Sequence, residues 1–195
     1  FLFIPFIFLL FFIKNEYLDK SIIKENTEFF ISKDTSFEDV VNQLDSFAID
    51  FHPLAKLVFN QFIEKKRLQY WYTSGRFMLQ KGYSLNDVVN KLRSRSQDPT
   101  KLTFNSMDDI LDVFGIMDST LDLDSLDMLN YLNLNNYPLD SLYLLLIPNT
   151  YELYWDISPK EFLNRMRLEY NNFWTEERIN SANQSNLSAH EVFVL

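Results

Sequence analysis

The sequence contains no cysteine and only 3 glycines among its 195 residues. The absence of cysteine excludes disulfide bonds, a thiol nucleophile and every cysteine-ligated zinc site. Basic residues are also scarce, since 18 lysines and arginines stand against 27 aspartates and glutamates and leave a formal net charge of −9. This balance argues against nucleic acid as a partner, because nucleic-acid binding depends on basic side chains that meet phosphates. With 47% apolar residues, the chain still has the composition of a folded protein of one or two domains.

The chain begins without methionine, inside the apolar run FLFIPFIFLLFFI, which has no charge before Lys14. As a helix this run spans roughly 20 Å, less than the ~30 Å of a bilayer core. Half of a membrane anchor, the apolar region of a signal peptide and a buried helix are the alternatives. Pro5 and the lack of a polar stripe argue against a buried helix, and no small-residue cleavage site follows the run. We expect an incomplete membrane anchor over residues 1–14 and a linker over residues 15–27.

An internal repeat is the clearest pattern in the first half of the chain. Residues 31–46 and 79–94 share the pattern K-x-x-S-x-x-D-V-V-N-x-L-x-S. In each copy the serine is a predicted helix N-cap, the aspartate lies at the N3 position of a capping box, and apolar residues follow at helical spacing. Strand-like residues precede both helices, and a further strand is predicted at 101–104. The pattern predicts a small α+β module over 28–104, with two unrelated capped helices as the alternative.

The second half of the chain has a helical pattern. Ser106 is the predicted cap of its first helix, and residues 180–186 are a predicted polar loop. The seven aspartates between positions 108 and 127 lack the glycine and terminal glutamate of an EF-hand loop, so we interpret them as a solvated acidic helix face. Ser188, with Glu191 at N3, begins a last helix in which the chain stops. We expect both ends to be cut from a longer protein.

Reactive side chains are few. Glu152 is the one carboxylate in an aromatic setting, which can raise a carboxyl pKa. An exposed strand position, or a pair with Arg165 or Arg167, is the plainer alternative for it. His52 and His190 are too few and too far apart in sequence to indicate a metal site, and no serine lies in a G-x-S-x-G nucleophile motif.

Aromatic and polar residues cluster after the turn at Pro148. Tyr151, Tyr154 and Trp155 can stack on sugar rings, because aromatic side chains offer flat apolar faces. Neighbouring residues on a strand face opposite sides, so at least one of the three is a core residue. Asn149 and Thr150 can instead hold the turn through hydrogen bonds from side chain to backbone.

Five segments carry a resemblance to a known family, and they are residues 74–84, 90–94, 101–104, 147–155 and 173–178. The sequence IPNTYE, before a serine-capped helix, is the most specific. Together with the apolar N-terminal run, they resemble the MltG-type (YceG-like) endolytic murein transglycosylases of bacterial inner membranes. Asn149 departs from the family pattern, since many members have aspartate at that position.

The resemblance implies an α+β fold in three parts. These parts are the anchor helix at 1–14, a small LysM-like α+β module at 28–104, and the first part of a mixed α/β catalytic domain at 105–195. It also implies a single-pass protein of the bacterial inner (cytoplasmic) membrane, with the bulk of the chain in the periplasm. The implied partners are peptidoglycan glycan strands, the lipid bilayer through the N-terminal helix, and peptidoglycan synthases.

The implied activity is cleavage of the β-1,4 bond from N-acetylmuramic acid to N-acetylglucosamine inside nascent strands, which leaves 1,6-anhydro ends and limits strand length. One glutamate acts first as acid and then as base, so no metal or organic cofactor is implied. Asn149, Thr150, Tyr151 and Glu152 are the expected substrate-binding residues. The family's catalytic glutamate, in the motif Ala-Ser-Ile-(Val/Ile)-Glu, is expected about five residues beyond Leu195. The 195 residues alone are therefore expected to be inactive.

Two other functions remain open. One is a non-enzymatic, membrane-tethered protein that binds peptidoglycan or acts as a scaffold. Such a protein has the same module but lacks the glutamate. A soluble intracellular α+β interaction domain with an apolar N-terminal helix is the third alternative. The coding sequence after Leu195 separates the first two, since the glutamate motif is expected there only in the enzyme.

Overall fold

The computed structural model describes residues 18–47, 53–105, 109–188 and 191–192. These residues form a mixed α+β structure in two compact units, which divide between Asp98 and Pro99. The anchor predicted at 1–14 lies outside the described residues. Within the described part of the chain, no helix is both long and apolar enough to span a bilayer.

The first unit contains the two repeated strand–helix segments. Its elements are β1 (Thr27–Ile31), α1 (Phe37–Phe47), α2 (Pro53–Lys65), a 3-10 turn (Leu68–Tyr70), β2 (Gly75–Leu79) and α3 (Leu85–Arg93). β1 and β2 pair in antiparallel register, with Phe29 opposite Phe77. The strands that the sequence predicts ahead of the two helices are therefore confirmed, and they pair with each other.

Both predicted serine caps of the repeat are confirmed. The Ser84 hydroxyl accepts a hydrogen bond from the Asp87 N–H, and the Asp87 carboxylate accepts one from the Ser84 N–H at 2.9 Å. In the other copy the Ser36 hydroxyl accepts from the Asp39 N–H at 3.2 Å. Each cap satisfies N–H groups that the first helical turn leaves without a partner, and so fixes where the helix begins.

Alternation along the strands places one face of the β1–β2 sheet in the core. The buried side chains of this unit come from the strands and from the apolar faces of the helices: Ile23, Phe29, Ile31, Val40, Leu44, Phe59, Ile63, Leu68, Phe77, Leu79, Leu85, Val88, Val89 and Leu92. On the outer face, Arg76 and Glu28 form an ion pair with an N–O distance of 2.5 Å.

Asp98 forms hydrogen bonds with the backbone of β2 along the edge that does not pair with β1. Its N–H donates to the Arg76 carbonyl at 2.7 Å, and its carboxylate accepts from the Met78 N–H at 2.7 Å. The same carboxylate lies 2.9 Å from the Lys91 ammonium. Partial burial raises the pKa of Asp98, but the Met78 hydrogen bond and Lys91 lower it by more, so the pKa lies below its usual value.

Replacing Asp98 by alanine is expected to lower the free energy of unfolding of the first unit by about 1–3 kcal/mol at neutral pH, because the Met78 N–H loses its acceptor. Since folding depresses this pKa, the contribution is present above the pKa of an unfolded aspartate, about 3.9, and is lost as the pH falls through the folded value. Urea unfolding at several pH values, followed by NMR signals of this unit, measures the difference between wild type and Asp98→Ala. That difference should shrink in acid.

The control for this experiment is Asp34→Ala, which removes an exposed carboxylate of the same unit. It should change the free energy of unfolding by less than about 0.5 kcal/mol. A difference between wild type and Asp98→Ala that stays constant down to strongly acidic pH contradicts the proposed edge contact.

The second unit contains a second two-stranded antiparallel sheet. Its elements are β3 (Thr100–Phe104), α4 (Ile110–Thr120), α5 (Ser125–Leu134), α6 (Leu139–Tyr143), β4 (Asn149–Leu153), α7 (Pro159–Phe173) and α8 (Glu176–Gln184). β3 pairs with β4. The predicted module at 28–104 includes the strand at 101–104, but the hydrogen bonds of β3 to β4 place this strand in the second unit. The two units therefore divide earlier than the predicted boundary after residue 104.

The helix starts of the second unit agree with the sequence in part. Ser158 and Glu161 form a capping box at the start of α7, as their spacing predicts. The cap of α4 is Asp109 rather than Ser106, because the Asp109 carboxylate accepts from two N–H groups of the first turn. Ser106 itself lies outside the described residues. Asp124 caps α5 in the same way, so these two aspartates of the predicted acidic face are helix caps.

The polar loop predicted at 180–186 is largely helical. α8 starts at the Thr175 cap and continues to Gln184. Ala182 is its one buried residue, so the segment has no apolar stripe that would mark it as a helix.

The core of the second unit lies between the inner face of the β3–β4 sheet and the helices. Its buried side chains are Leu102, Phe104, Val113, Phe114, Met117, Leu121, Leu123, Met128, Leu132, Leu142, Leu145, Leu146, Tyr151, Leu153, Phe162, Leu163 and Met166. The opposite face of this sheet is exposed.

Candidate functional site

The exposed face of the β3–β4 sheet brings most of the expected site residues to the surface. Thr150 and Glu152 point outward on β4, and their partners in the antiparallel register are Thr103 and Lys101 on β3. We call these four residues the polar sheet face. The alternation that buries Tyr151 and Leu153 is the reason their neighbours are exposed.

Two hydrogen bonds hold Thr150 in place on this face. The hydroxyl oxygens of Thr103 and Thr150 lie 2.9 Å apart, which is a hydrogen bond across the two strands. The Asn149 side-chain oxygen accepts from the Thr150 N–H at 2.8 Å. Asn149 therefore holds the start of β4 through a bond from side chain to backbone, as the sequence allows, and it remains exposed.

Tyr151 is a core residue. It is 2% exposed, its ring packs 5.8 Å from that of Phe104, and its hydroxyl donates to the Ile147 carbonyl. Burial, followed by the nearby Glu169 carboxylate, raises the pKa of Tyr151 to about 12, although Arg165 opposes the shift. The hydroxyl stays protonated near neutral pH, and the ring offers no face to a ligand. Among the four expected site residues, Tyr151 is therefore the one that lies in the core, where it supports β4.

Glu152 is exposed on the strand, and neither arginine considered for it is its partner. Arg165 pairs instead with Glu169, at 2.7 Å, and the Arg167 guanidinium lies 6.0 Å from the centre of the Tyr137 ring. Glu152 thus occupies an exposed strand position, which is the plainer of the alternatives predicted for it.

A groove of about 350 Å³ lies beside the polar sheet face. It is lined by Pro99, Glu152, Leu153, Tyr154, Ile157 and Arg165. Tyr154 is 56% exposed, so it is the aromatic residue of the β4 segment whose ring is open to a ligand. The groove combines a carboxylate, a guanidinium and an aromatic ring, which are the groups that bind hydroxyls, amides and the apolar face of a neutral, polar ligand.

The first unit has a separate aromatic surface, which the sequence patterns do not predict. Tyr70 is 67% exposed and Trp71 is 48% exposed, and both lie between α2 and β2. The Arg95 guanidinium lies 5.4 Å from the centre of the Trp71 ring, in a cation–π contact. The signal that could have found this surface is the run Tyr-Trp-Tyr at positions 70–72, in a segment without helical or strand periodicity.

No cluster of three or more potential metal ligands occurs among the described residues. His52 and His190 lie outside them. The groups that meet at the polar sheet face and its groove are hydroxyls, an amide, opposite charges and an aromatic ring, which can form hydrogen bonds and stacking contacts.

Comparison with known proteins identifies one family. A model described as the YceG-like family matches residues 29–195. A crystal structure of a YceG-like protein from Listeria monocytogenes aligns with 13% sequence identity and a TM-score of 0.37, over 87% of this chain and 62% of that protein's chain. This chain therefore spans less than two thirds of that protein. None of the curated proteins matches it significantly.

Proposed function

The chain belongs to the YceG-like family, and we propose on this premise that it is part of a membrane-anchored lytic transglycosylase that acts on peptidoglycan. The bond proposed to be cut is the β-1,4 bond from N-acetylmuramic acid to N-acetylglucosamine within nascent glycan strands. The products carry 1,6-anhydro ends, and the proposed role is to limit strand length during cell-wall assembly. The observation that carries this proposal is the family match over residues 29–195, which includes all of the second unit and most of the first.

The proposed reaction needs one carboxyl group. A glutamic acid donates its proton to the glycosidic oxygen, and the resulting carboxylate then takes the proton of the muramyl 6-hydroxyl as that oxygen bonds to the anomeric carbon. No water is consumed. The motif Ala-Ser-x-x-Glu that carries this glutamate in the resemblance does not occur in the 195 residues. We therefore assign glycan binding, and not the proton transfers, to the residues of this chain.

The polar sheet face and the groove beside it are the proposed glycan contacts. Thr150 and Asn149 offer hydroxyl and amide groups, and Glu152 offers a carboxylate that can accept from sugar hydroxyls. Tyr154 offers an exposed ring for the apolar face of a sugar. In this proposal Tyr151 is a support of β4 and does not touch the glycan.

Digestion of isolated glycan strands tests the enzymatic proposal. A protein that continues past Leu195 with the Ala-Ser-x-x-Glu motif should release fragments with 1,6-anhydro ends, which mass spectrometry detects as the loss of one water relative to hydrolysed ends. Replacement of that glutamate by glutamine should abolish the products. Hydrolysed ends, or no cleavage by the intact protein, would refute the transglycosylase proposal.

A non-enzymatic peptidoglycan-binding protein is the second candidate, and the aromatic surface of the first unit favours it. Tyr70 and Trp71 present exposed rings that can stack on sugars without any catalytic group. If the coding sequence after Leu195 lacks the glutamate motif and the chain still sediments with cell-wall sacculi, this candidate replaces the enzyme. Trp71→Ala should then weaken the sedimentation.

The location of the protein is a further part of the proposal. The apolar run over residues 1–14 is proposed to anchor it in the bacterial inner membrane as a single pass, with the bulk of the chain in the periplasm near peptidoglycan synthases. A reporter enzyme that is active only in the periplasm should be active when it is fused after residue 105. Activity of a cytoplasm-specific reporter at the same position contradicts this topology.

A further inference from the structure

Basic residues are concentrated in one stretch of this acidic chain. Residues 64–97 contain eight lysines and arginines against two acidic residues, Glu64 and Asp87, whereas the whole chain has 18 basic and 27 acidic residues. A block of one charge sign in a chain of the opposite net charge indicates a surface for a partner of complementary charge. The fold decides which of these cations share such a surface.

The fold brings the ends of two helices of this stretch together. The 3-10 turn contacts both α2 and α3. The Lys66 ammonium, just after the end of α2, donates to the Asn90 side-chain oxygen of α3 at 3.1 Å. The Arg95 guanidinium, just after the end of α3, lies 5.4 Å from the centre of the Trp71 ring, which follows the 3-10 turn. Both helix ends and the turn therefore meet at one end of the first unit.

Cations and aromatic rings are exposed together at this end. Five exposed residues lie there, and we call them the basic aromatic surface: Lys65, Arg67, Tyr70, Trp71 and Arg95. None of its three cations forms an ion pair with another described residue. Their charges are therefore available to a partner.

Local stabilisation accounts for only part of this surface. Its three cations lie at or just after the C-terminal ends of helices, where positive charge complements the helix dipole. The dipole gives no reason for two large aromatic rings to be exposed beside them, since exposed rings leave apolar area in water. The rings favour a partner that removes apolar area from water, and the cations favour one that is anionic.

The surface of an anionic bilayer meets both requirements. Tryptophan and tyrosine are enriched at the level of lipid headgroups, because each has an apolar body and a polar tip. Each lysine or arginine close to a negatively charged leaflet adds attraction to it. Stacking on sugar rings, by comparison, uses the aromatic groups alone and leaves the cations without a role.

The chain also keeps this surface within reach of a bilayer. The apolar run ends at Ile13 and the structure describes the chain from Leu18, so these two residues are at most about 18 Å apart. The chain then lies beside the start of α3, where the Ile22 N–H donates to the Tyr83 carbonyl at 2.9 Å. Since α3 has 9 residues and is about 14 Å long, the surface at its other end can reach a bilayer that holds the run.

We propose that the basic aromatic surface docks the first unit on the surface of an anionic phospholipid bilayer. The Tyr70 and Trp71 rings lie at the headgroup level, and the three cations lie against the lipid phosphates. This inference goes beyond the proposed reaction, which does not use these residues, and it rests on the proposed location of the protein only for the tether. The tether raises the effective concentration of the bilayer, so weak individual contacts are sufficient.

Cosedimentation of the 195-residue chain with lipid vesicles tests the docking. Vesicles of phosphatidylcholine alone report on the apolar run, and vesicles with about 30% phosphatidylglycerol add negative charge. Phosphatidylglycerol should raise the partition constant about tenfold, and this rise should shrink as salt is added. The double substitution Arg67→Gln and Arg95→Gln should remove most of the rise.

The double substitution Lys24→Gln and Lys81→Gln is the matched control. Both lysines are exposed, and their neighbours Ile23 and Gly82 are hydrogen-bonded to each other just ahead of α3, at the opposite end of that helix from Arg95. This variant loses the same number of positive charges from the same unit but leaves the basic aromatic surface intact. It should keep the rise with phosphatidylglycerol.

Quenching of tryptophan fluorescence provides a second measurement. The apolar run contains no tryptophan, so quenching by lipids that are brominated near the headgroup end of their acyl chains does not report on the run. Vesicles with phosphatidylglycerol and these lipids should quench the wild-type chain. Trp71→Phe should remove most of the quenching, whereas Trp155→Phe should not.

The outcomes separate this inference from the proposed function. The docking is refuted if phosphatidylglycerol does not raise the partition constant, or if the arginine pair and the lysine pair reduce the rise equally. It is also overturned if a single-stranded oligonucleotide binds the chain as tightly as the vesicles and the arginine substitutions weaken both, because the surface then takes polyanions in general. A chain that ignores pure phosphatidylcholine contradicts the proposed anchor, while a rise with phosphatidylglycerol still supports the docking.

Discussion

Replacing Phe29 by alanine is expected to lower the free energy of unfolding of the first unit by about 3–5 kcal/mol, which is the usual cost of emptying a fully packed phenylalanine site. Phe29 is 3% exposed and lies opposite the fully buried Phe77 in the register of β1 and β2. Loss of its ring leaves a cavity at the centre of the apolar face of the sheet. Urea unfolding followed by the NMR signals of this unit measures the change.

The neighbouring phenylalanine provides the matched control. Phe30 lies on the other face of β1 and is 37% exposed. Phe30→Ala removes the same side chain from the same strand, but it should cost only about 1 kcal/mol, because much less apolar area returns to water. Equal losses for Phe29→Ala and Phe30→Ala contradict the register and the assignment of the inner face.

Replacing Gly75 by alanine is expected to destabilise the first unit by about 2–5 kcal/mol, from the combined costs of backbone strain and overpacking. Gly75 has a φ of +135°, which residues with a β-carbon rarely adopt. A β-carbon added there lies 2.8 Å from the Cδ atom and 2.9 Å from the Cβ atom of Gln97. Since Gly75 begins β2 opposite Ile31, the strain falls on the end of the sheet. Thermal or urea unfolding of the variant measures the loss.

Gly115→Ala is the comparison variant, and its expected effect on stability has the opposite sign. It lies within α4, and a β-carbon added there meets no atom within 4 Å. Gly115→Ala should stabilise the second unit by about 0.5–1 kcal/mol, because alanine loses less backbone entropy than glycine in a helix. If Gly75→Ala is as stable as the wild type, the positive φ and the close approach of Gln97 are contradicted.

Local signals predicted the parts of the fold that depend on a few neighbouring residues. The capping boxes of Ser84 with Asp87 and of Ser158 with Glu161 act over three positions, so their spacing in the sequence was sufficient to predict two helix starts. The strand ahead of each repeated helix was also predicted from neighbouring residues, because strand-like residues precede each cap. Where two polar residues can each cap the same helix, the sequence does not decide between them. Ser106 is the predicted cap of α4, but Asp109 caps it.

Long-range pairing could not be predicted in the same way. The buried residues of β3 alternate with exposed ones, and this pattern fits any sheet with one apolar face. The hydrogen bonds to β4 decide that β3 belongs to the second unit. Asp98 is a similar case, because its contact with Met78 becomes visible only when the edge of β2 is in place.

The candidate site was predicted in part. The alternation rule indicated that Tyr151, Tyr154 and Trp155 do not share one side of a strand, but it could not tell which one is buried. The exposure of the side chains answers this, since Tyr151 lies in the core and Tyr154 is exposed. The threonine pair across the sheet was not predicted, because Thr103 and Thr150 meet only when β3 and β4 pair.

Calorimetric titration of the 195-residue chain with soluble, peptide-free glycan strands tests the central claim, that this chain binds the glycan through the polar sheet face. We expect saturable binding that the double substitution Thr150→Val and Glu152→Ala weakens several-fold. Lys160→Ala, which removes an exposed charge from α7 outside this face, should leave the affinity unchanged. Absence of binding, or an affinity that the double substitution leaves intact, would contradict the claim.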